Sequence, residues 1–540
     1  MNSRFRAVAA VLSLWLIAPS AFGQGSGNNL PRRPQTTEEV NVVTPSNILP
    51  RLPIEQFTLS NGLRVVMSRD NSVPVVAVAV YYDVGSRDER AGRTGFAHLF
   101  EHMMFQGSEN VPKAAHFQFI SNAGGTMNGT TSTERTNYFE TLPANQLPLA
   151  LWLESDRMRS LKITQENLDN QRKAVQEERR LRIDNQPYTP AFLRMSELVF
   201  KNPANAHSTI GSMEDLDAAT VEDVREFFRI YYAPNNAVLS IVGDFDPQTA
   251  RPLIEKYFGT IPRQSAPPKV DVNEPAEVAV RSETINDRFA QIPGFIIGWK
   301  VPPRRHADYY ALDLASNLLL SGESSRLYQR LVKGDESALA VQGGYDERRG
   351  PSSLFIFALP KPGKDAEQIR GTIMSEIKRL ATEGPTPAEM EKIRNNILND
   401  VVRGFQSSMF RAQRLAEYAI YDGDPNLINT DIERYLSVTA NQIKAATARY
   451  LDTDNRTVLS IVPARGDRPA AATQPSGEPR QPGAPAPQVP ARPAMQPASP
   501  AAGGQPATPA QAPPADRPAQ PQQPTDAPPQ TQPGAQPKRP

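Results

Sequence analysis

Gly95-Phe96-Ala97-His98-Leu99-Phe100-Glu101-His102-Met103-Met104-Phe105 is apolar at all but three side-chain positions and contains no proline. It reads as a short helix, hydrophobic on nearly every side and therefore buried. Polar groups set into such a helix are costly unless they are paired or bound to something. His98 and His102 are four residues apart, one helical turn, so both rings leave the same face and can grip one ion. Glu101 lies beside them, within reach of a water on that ion. The chain has only five histidines, and at that frequency a chance HxxEH arises in roughly a few chains per thousand. The stretch is read as a metal-binding helix rather than as two core histidines with an incidental carboxylate.

Outward from that helix, composition narrows the chemistry. The 540 residues suffice for two or more cores, and the net charge is +1. No large basic block is present, so nucleic acid is not an expected partner. There is no cysteine, which excludes thiolate ligands, a thiol nucleophile and disulfides, and leaves imidazole and carboxylate as the strong metal ligands. Arg4 and Arg6, the apolar run from Ala7 to Pro19, and Ala21-Phe22-Gly23 form a signal-peptide pattern over residues 1–23. The run is too short for a membrane anchor and no later stretch is long enough to span a bilayer. The expected location is the periplasm or the exterior, with residues 24–50 a flexible lead-in.

Phe57 to Val66, alternating around Asn61-Gly62, predicts a hairpin. Val75 to Val84 predicts a strand buried on both faces. After the metal helix come a helix near Ala114 to Ser121 and a strand, Thr126-Met127-Asn128-Gly129-Thr130-Thr131-Ser132. Its Gly, Asn and Thr content implies a backbone that something approaches closely. It is either an ordinary edge hairpin or an edge that an extended peptide joins through main-chain hydrogen bonds, with Asn128, Gly129 and Thr130 as substrate-binding candidates. Helices follow over Leu147 to Ser160 and Glu166 to Arg182. On the latter, Leu168, Ala174, Val175 and Leu181 define an apolar face with Glu178 near its centre and Glu177 toward its edge. A carboxylate aimed at the core needs a partner, and Glu178 is the third candidate ligand. His116 and His207 read as surface residues without a role; Met103, Met104 and Trp152 read as core.

Val-Leu-Ser-Ile-Val occurs at 238–242 and again at 458–462, each time after a helix. This predicts two α+β halves, each a mostly antiparallel sheet with helices packed on it. The expected boundaries are 51–263 and 284–465, joined by a linker over 264–283. The counterpart of the metal helix in the second half, near Leu314 to Leu320, carries no histidine. From 466 the sequence turns to Pro, Ala and Gln, and 22 of the 52 prolines lie in residues 469–540. Such a tail cannot bury a core and is expected to be disordered.

Gly85-Ser86-Arg87-Asp88-Glu89, the stretch from Gly95 to Gly107, the Gly124-Gly125 strand and Glu178 together resemble the pitrilysin-like (insulinase-like, mitochondrial-processing-peptidase-like) inverzincin peptidases over about residues 50–465. The resemblance implies a clamshell of two homologous halves and one Zn2+ per chain, held by His98, His102 and Glu178. It also implies Glu101 as the catalytic base in hydrolysis of unfolded peptides. Two positions depart from the family pattern. Gln171 stands where an acidic residue is often found seven positions before the glutamate ligand. Lys333 and Ala340 stand where active members carry an Arg and a Tyr that reach the substrate. That implies the zinc-bearing subunit of a heterodimer, whose homologous partner lacks HxxEH and supplies both side chains. The alternatives are a non-catalytic peptide-binding or assembly protein with the same fold, and a zinc-stabilised scaffold.

Overall fold

The computed structural model describes residues 50–275 and 279–464. The expected signal peptide, nearly all of the expected lead-in, and the expected tail lie outside the described residues.

Two sheets organise the chain. The first contains β1 (Glu55–Thr58), β2 (Arg64–Arg69), β3 (Val75–Tyr82), β4 (Thr126–Thr131), β5 (Thr136–Pro143) and β6 (Ala237–Gly243), in the order β1-β2-β6-β3-β5-β4. The second contains β7 (Arg281–Asp287), β8 (Gly294–Val301), β9 (Ala338–Asp346), β10 (Ser352–Pro360) and β11 (Thr457–Pro463), in the order β7-β11-β8-β10-β9. Helices α1 (Phe96–Met103), α2 (Ala115–Asn122), α3 (Leu147–Ser160), α4 (Gln165–Arg179), α5 (Thr189–Val199), α6 (Pro203–Ala206), α7 (Met213–Asp217), α8 (Val221–Tyr231) and α9 (Pro247–Phe258) belong to the first half. The second half holds α10 (Tyr309–Leu320), α11 (Ala366–Glu383), α12 (Pro387–Phe405), α13 (Ser408–Tyr421), α14 (Leu427–Ser437) and α15 (Ala440–Tyr450).

The repeated pentapeptide marks equivalent strands. β6 lies between β2, to which it is parallel, and β3, to which it is antiparallel. β11 lies in the same way between β7 and β8. Every other pairing is antiparallel. α10 follows β8 as α1 follows β3, and it is apolar where α1 is polar. The predicted hairpin forms, with Phe57 opposite Val65.

β3 is buried on both faces. Val76, Val78, Val80 and Tyr82 join the core beneath α1 and α3, while Ala77, Ala79 and Tyr81 face the opposite way. That second face is covered from the other half. Leu415, Ala416, Ala419 and Ile420 of α13 pack on Ala77, Ala79, Val238 and Val242. The cover is reciprocated: Met195 and Val199 of α5 pack on Ile296, Leu459 and Ile461 of the second sheet. The approach is close enough that a Cβ at Gly298 would stand 2.8 Å from Met195 Sδ. Each half thus lends a helix to the other, and neither sheet is buried without its neighbour. Polar contacts follow the same seam. The Arg349 backbone N–H donates to both Glu134 oxygens (2.9 and 2.8 Å), and its guanidinium to Asp83 (2.6 Å).

Leu415 is fully buried at this seam, so Leu415→Ala should cost about 2–5 kcal/mol. Because the helices are shared, fluorescence and circular dichroism should follow one common denaturant transition for both halves; two separated transitions would contradict the interlock.

Candidate metal centre

α1 is fixed at its first turn by a carboxylate that the sequence reading passed over. Glu89 Oε2 accepts from the Gly95 N–H (2.9 Å) and Oε1 from the Ala97 N–H (2.7 Å), satisfying donors that a helix start leaves free. The Glu89 side chain is wholly buried and receives His207 Nε2–H at 2.9 Å. His207 Nδ1 faces the Pro203 carbonyl at 2.6 Å, so both ring nitrogens face acceptors and the imidazolium is favoured. Burial pulls the His207 pKa down, but Glu89 outweighs it and the net shift is upward from 6.5. Burial raises the Glu89 pKa despite His207. His207 is therefore a clamp on the metal helix and not an idle surface residue. Its partner lies 118 residues away, which no local pattern could reveal.

Phe96, Ala97, Leu99, Phe100 and Met103 bury the apolar side of α1. His98, Glu101 and His102 form the stripe left partly open, so the helix is not enclosed all round. α4 presents Leu168, Gln171, Val175 and Glu178 toward α1, a 3-4-3 spacing along one face. Ala174 and Leu181, expected on that face, are exposed. The α-helical register ends at Arg179 and passes into a wider π turn over Arg180–Asp184, which swings Leu181 outward. Glu177 is solvated and pairs with Arg180 at 3.2 Å.

Glu178 Oε2 lies 3.3 Å from His102 Nε2 and 3.6 Å from His98 Nε2, and one donor atom from each of the three residues falls within 4.8 Å of the others. Gln171 takes the place of the expected acidic neighbour: its Oε1 is 3.3 Å from His102 Nδ1, and its amide N donates to Asn170 Oδ1 (2.7 Å). An N–H at Nδ1 directs the Nε2 lone pair into the cluster. Burial, reinforced by His102, lowers the His98 pKa to about 4, so this ring is neutral at physiological pH. For His102, burial acts downward but Glu178 and Glu101 prevail and the net shift is upward. For Glu178, burial acts upward but His102, His98 and Arg182 prevail and the shift is downward. Two imidazole nitrogens and an ionised carboxylate brought this close fit a divalent cation of the zinc type.

Glu101 extends toward β4. Thr131 Oγ1–H donates to its Oε2 at 2.5 Å, and burial raises the Glu101 pKa despite that bond. A Cβ at Gly129 would stand 3.1 Å from Glu101 Cγ, so the close approach inferred for this strand is made by Glu101 itself. β4 pairs only with β5 and is the edge of the sheet. Asn128 is exposed, and its Oδ1 accepts the Gly129 N–H at 2.9 Å. Thr130 is pinned by Arg135, which donates to its carbonyl at 3.1 Å and to its hydroxyl at 2.6 Å. His116, expected at the surface, is fully buried because α2 turns that side into the core, and burial lowers its pKa to about 3. Met103 and Met104 are core as expected, whereas Trp152 is partly exposed. In the second half Lys333 is exposed and Ala340 lies on β9.

A duplicated α+β scaffold whose first half sets an HxxEH helix between a sheet edge and a glutamate-bearing helix has the architecture of pitrilysin-like proteins. The chain belongs to the insulinase family, peptidase family M16: residues 64–211 match the insulinase model and residues 218–397 the M16 inactive-domain model. Among its relatives is the zinc protease PqqE of Helicobacter pylori, 31% identical over 412 residues, covering 75% of this chain and 92% of that protein. The crystal structure of a protease from Helicobacter pylori superposes with a TM-score of 0.74 at 28% identity, over 77% of this chain and all of that one. The first half of the periplasmic protease PqqL from Escherichia coli shares the fold, with a TM-score of 0.62 at 20% identity over 77% of this chain and 93% of that fragment. Against full-length PqqL, TM-score 0.63 at 19% identity, the match covers 77% of this chain and 48% of that one.

Glu89→Ala should cost about 1–3 kcal/mol by stranding two helix-start N–H groups and His207. Because the His207 pKa is raised, its stabilisation is fully present below pH 6.5 and declines as pH rises through the raised value. His207→Gln should flatten that part of the denaturation midpoint plotted against pH; an unchanged profile would assign the effect to other groups.

Proposed function

We propose that this chain is an exported zinc endopeptidase acting on unfolded peptides, and that it is the metal-bearing subunit of a heterodimer. The observation that carries the reading is the convergence of His98, His102 and Glu178 beside Glu101 at an unpaired sheet edge. The three would hold one Zn2+, with a position left for solvent. When bound, zinc supplies Lewis acidity, polarising a scissile carbonyl and bringing a water pKa toward about 7.

The chain's own residues do the remainder. The β4 edge, which carries Asn128, Gly129 and Thr130, accepts an extended peptide as an added strand. Such pairing is indifferent to side-chain identity and requires an unfolded segment. Gly129 keeps the backbone low enough for Glu101 to lie over it. Glu101, oriented by Thr131 and disposed by burial to accept a proton, takes one from the attacking water and returns it to the leaving amine.

Lys333 and Ala340 supply neither the Arg nor the Tyr of active relatives. A phenol directed at the oxyanion is worth a few kcal/mol, about the same as a removed oxyanion-hole donor. That full-length PqqL is about twice the length of the matching region supports a homologous second unit, here supplied in trans. The signal-peptide pattern of residues 1–23 supports export, and PqqL is described as periplasmic. A non-catalytic peptide-binding protein is the second reading, favoured by Ala340 and by the inactive-domain match of residues 218–397.

The mature chain should bind one equivalent of zinc by elemental analysis, and Glu178→Gln should lose it. Glu101→Gln should keep the zinc while hydrolysis of an unstructured peptide falls by about 10²–10⁴-fold or more. Hydrolysis by that variant at the wild-type rate would refute the role given to Glu101, and full activity of the isolated chain would remove the need for a partner.

A further inference from the structure

Resting on the peptidase reading, we propose that Arg182 selects peptides carrying an acidic side chain beside the scissile bond. The π turn after α4 brings residue 182 back over residue 178, and Arg182 Nη1 lies 2.7 Å from Glu178 Oε1. The two oxygens of Glu178 are thereby divided. Oε2 faces both histidine rings, and Oε1 is held by the guanidinium. Arg182 is nevertheless 64% exposed, against 18% for Glu178. A guanidinium has five N–H donors in a rigid fork, and the Glu178 contact engages one edge of it. The remainder faces solvent.

The neighbouring cations are otherwise engaged. Arg179 donates to the Gly211 carbonyl and pairs with Asp184 at 3.4 Å. Arg180 pairs with Glu177. Arg135 is tied to Thr130 and Asn137 beneath the β4 edge. Both carboxylates of the centre are also occupied, Glu178 by the rings and Arg182, and Glu101 by Thr131. The group that complements the open edge of Arg182 is a carboxylate brought by the substrate. α1 packs on β4 on one side and on α4 on the other. In the proposed pose a peptide laid along β4 passes the His98–Glu101–His102 stripe, and one of its alternate side chains reaches Arg182 beside Glu178. A bidentate carboxylate–guanidinium pair there is both directional and strong.

The competing role for Arg182 is to steady Glu178 alone, and a charge reversal separates the two. Matched peptides with Glu, Gln or Lys scanned over three positions on each side of the scissile bond are compared on wild type, Arg182→Ala and Arg182→Glu, with zinc content measured for each. Binding of the same peptides to zinc-loaded Glu101→Gln chain, with and without the Arg182 changes, is read by calorimetry and does not depend on turnover. The expected result is about tenfold preference for Glu over Gln at one position, lost in Arg182→Ala and turned toward Lys in Arg182→Glu. Equal binding of Glu and Gln peptides, a preference that survives charge reversal, an effect confined to zinc content, or no peptide binding would each overturn it. Acid-selective binding by a wild-type chain that takes up no zinc would sink the peptidase reading and leave the selectivity standing.

Discussion

Two imidazoles from one turn of α1 and a carboxylate from the end of α4 bring one donor atom each to within 4.8 Å of one another. His98 is buried enough to stay neutral, while the Glu178 carboxyl is held below the usual carboxylate range. A cation there would take the place of the proton that Glu178 draws to His102 across 3.3 Å. The rest of the first half holds them there: Gln171 fixes the His102 ring, Arg182 holds the second Glu178 oxygen, and Glu89 ties down the start of α1. Two of the three donors, His102 and Glu178, are held by something other than their neighbours in the cluster, which keeps them in place.

The rigidity draws on the whole chain. α1 lies on one face of the first sheet, and the opposite face of that sheet is closed by α13 from the second half. The loop after β9 binds Glu134 and Asp83 through Arg349, and Arg348 Nη1 donates to the Asn205 carbonyl at 2.7 Å, close to the segment that carries His207. Although the second half brings no such donor cluster among the described residues, it buttresses the surfaces against which the first half positions its own.

Gly129 and Glu101 illustrate how tightly strand and helix are matched. An edge strand is an exposed row of main-chain donors and acceptors, a hazard unless it has a use. Here the same edge lies beside the candidate base, and the missing side chain at 129 is what lets the two meet. Thr131, two residues on along the strand, supplies the hydroxyl that orients the carboxylate.

Much of this was legible in order of residues alone. The HxxEH spacing placed His98, Glu101 and His102 on one stripe, the repeated Val-Leu-Ser-Ile-Val located equivalent strands 220 residues apart, and Asn61-Gly62 set a hairpin. These are periodicities of 3.6 and 2 and a turn preference, which are local and survive without a fold. Glu178 was found on its helix, but through a face drawn too wide, since Ala174, within the α-helical part, and Leu181, in the π turn, are both exposed. What the tertiary structure alone decided were pairings across long stretches of chain: His207 with Glu89, Arg349 with Glu134, α13 on β3, and His116 turned into the core. Composition records which groups must find partners; only packing in three dimensions, where each buried charge takes the nearest complementary atom, settles which partner it is.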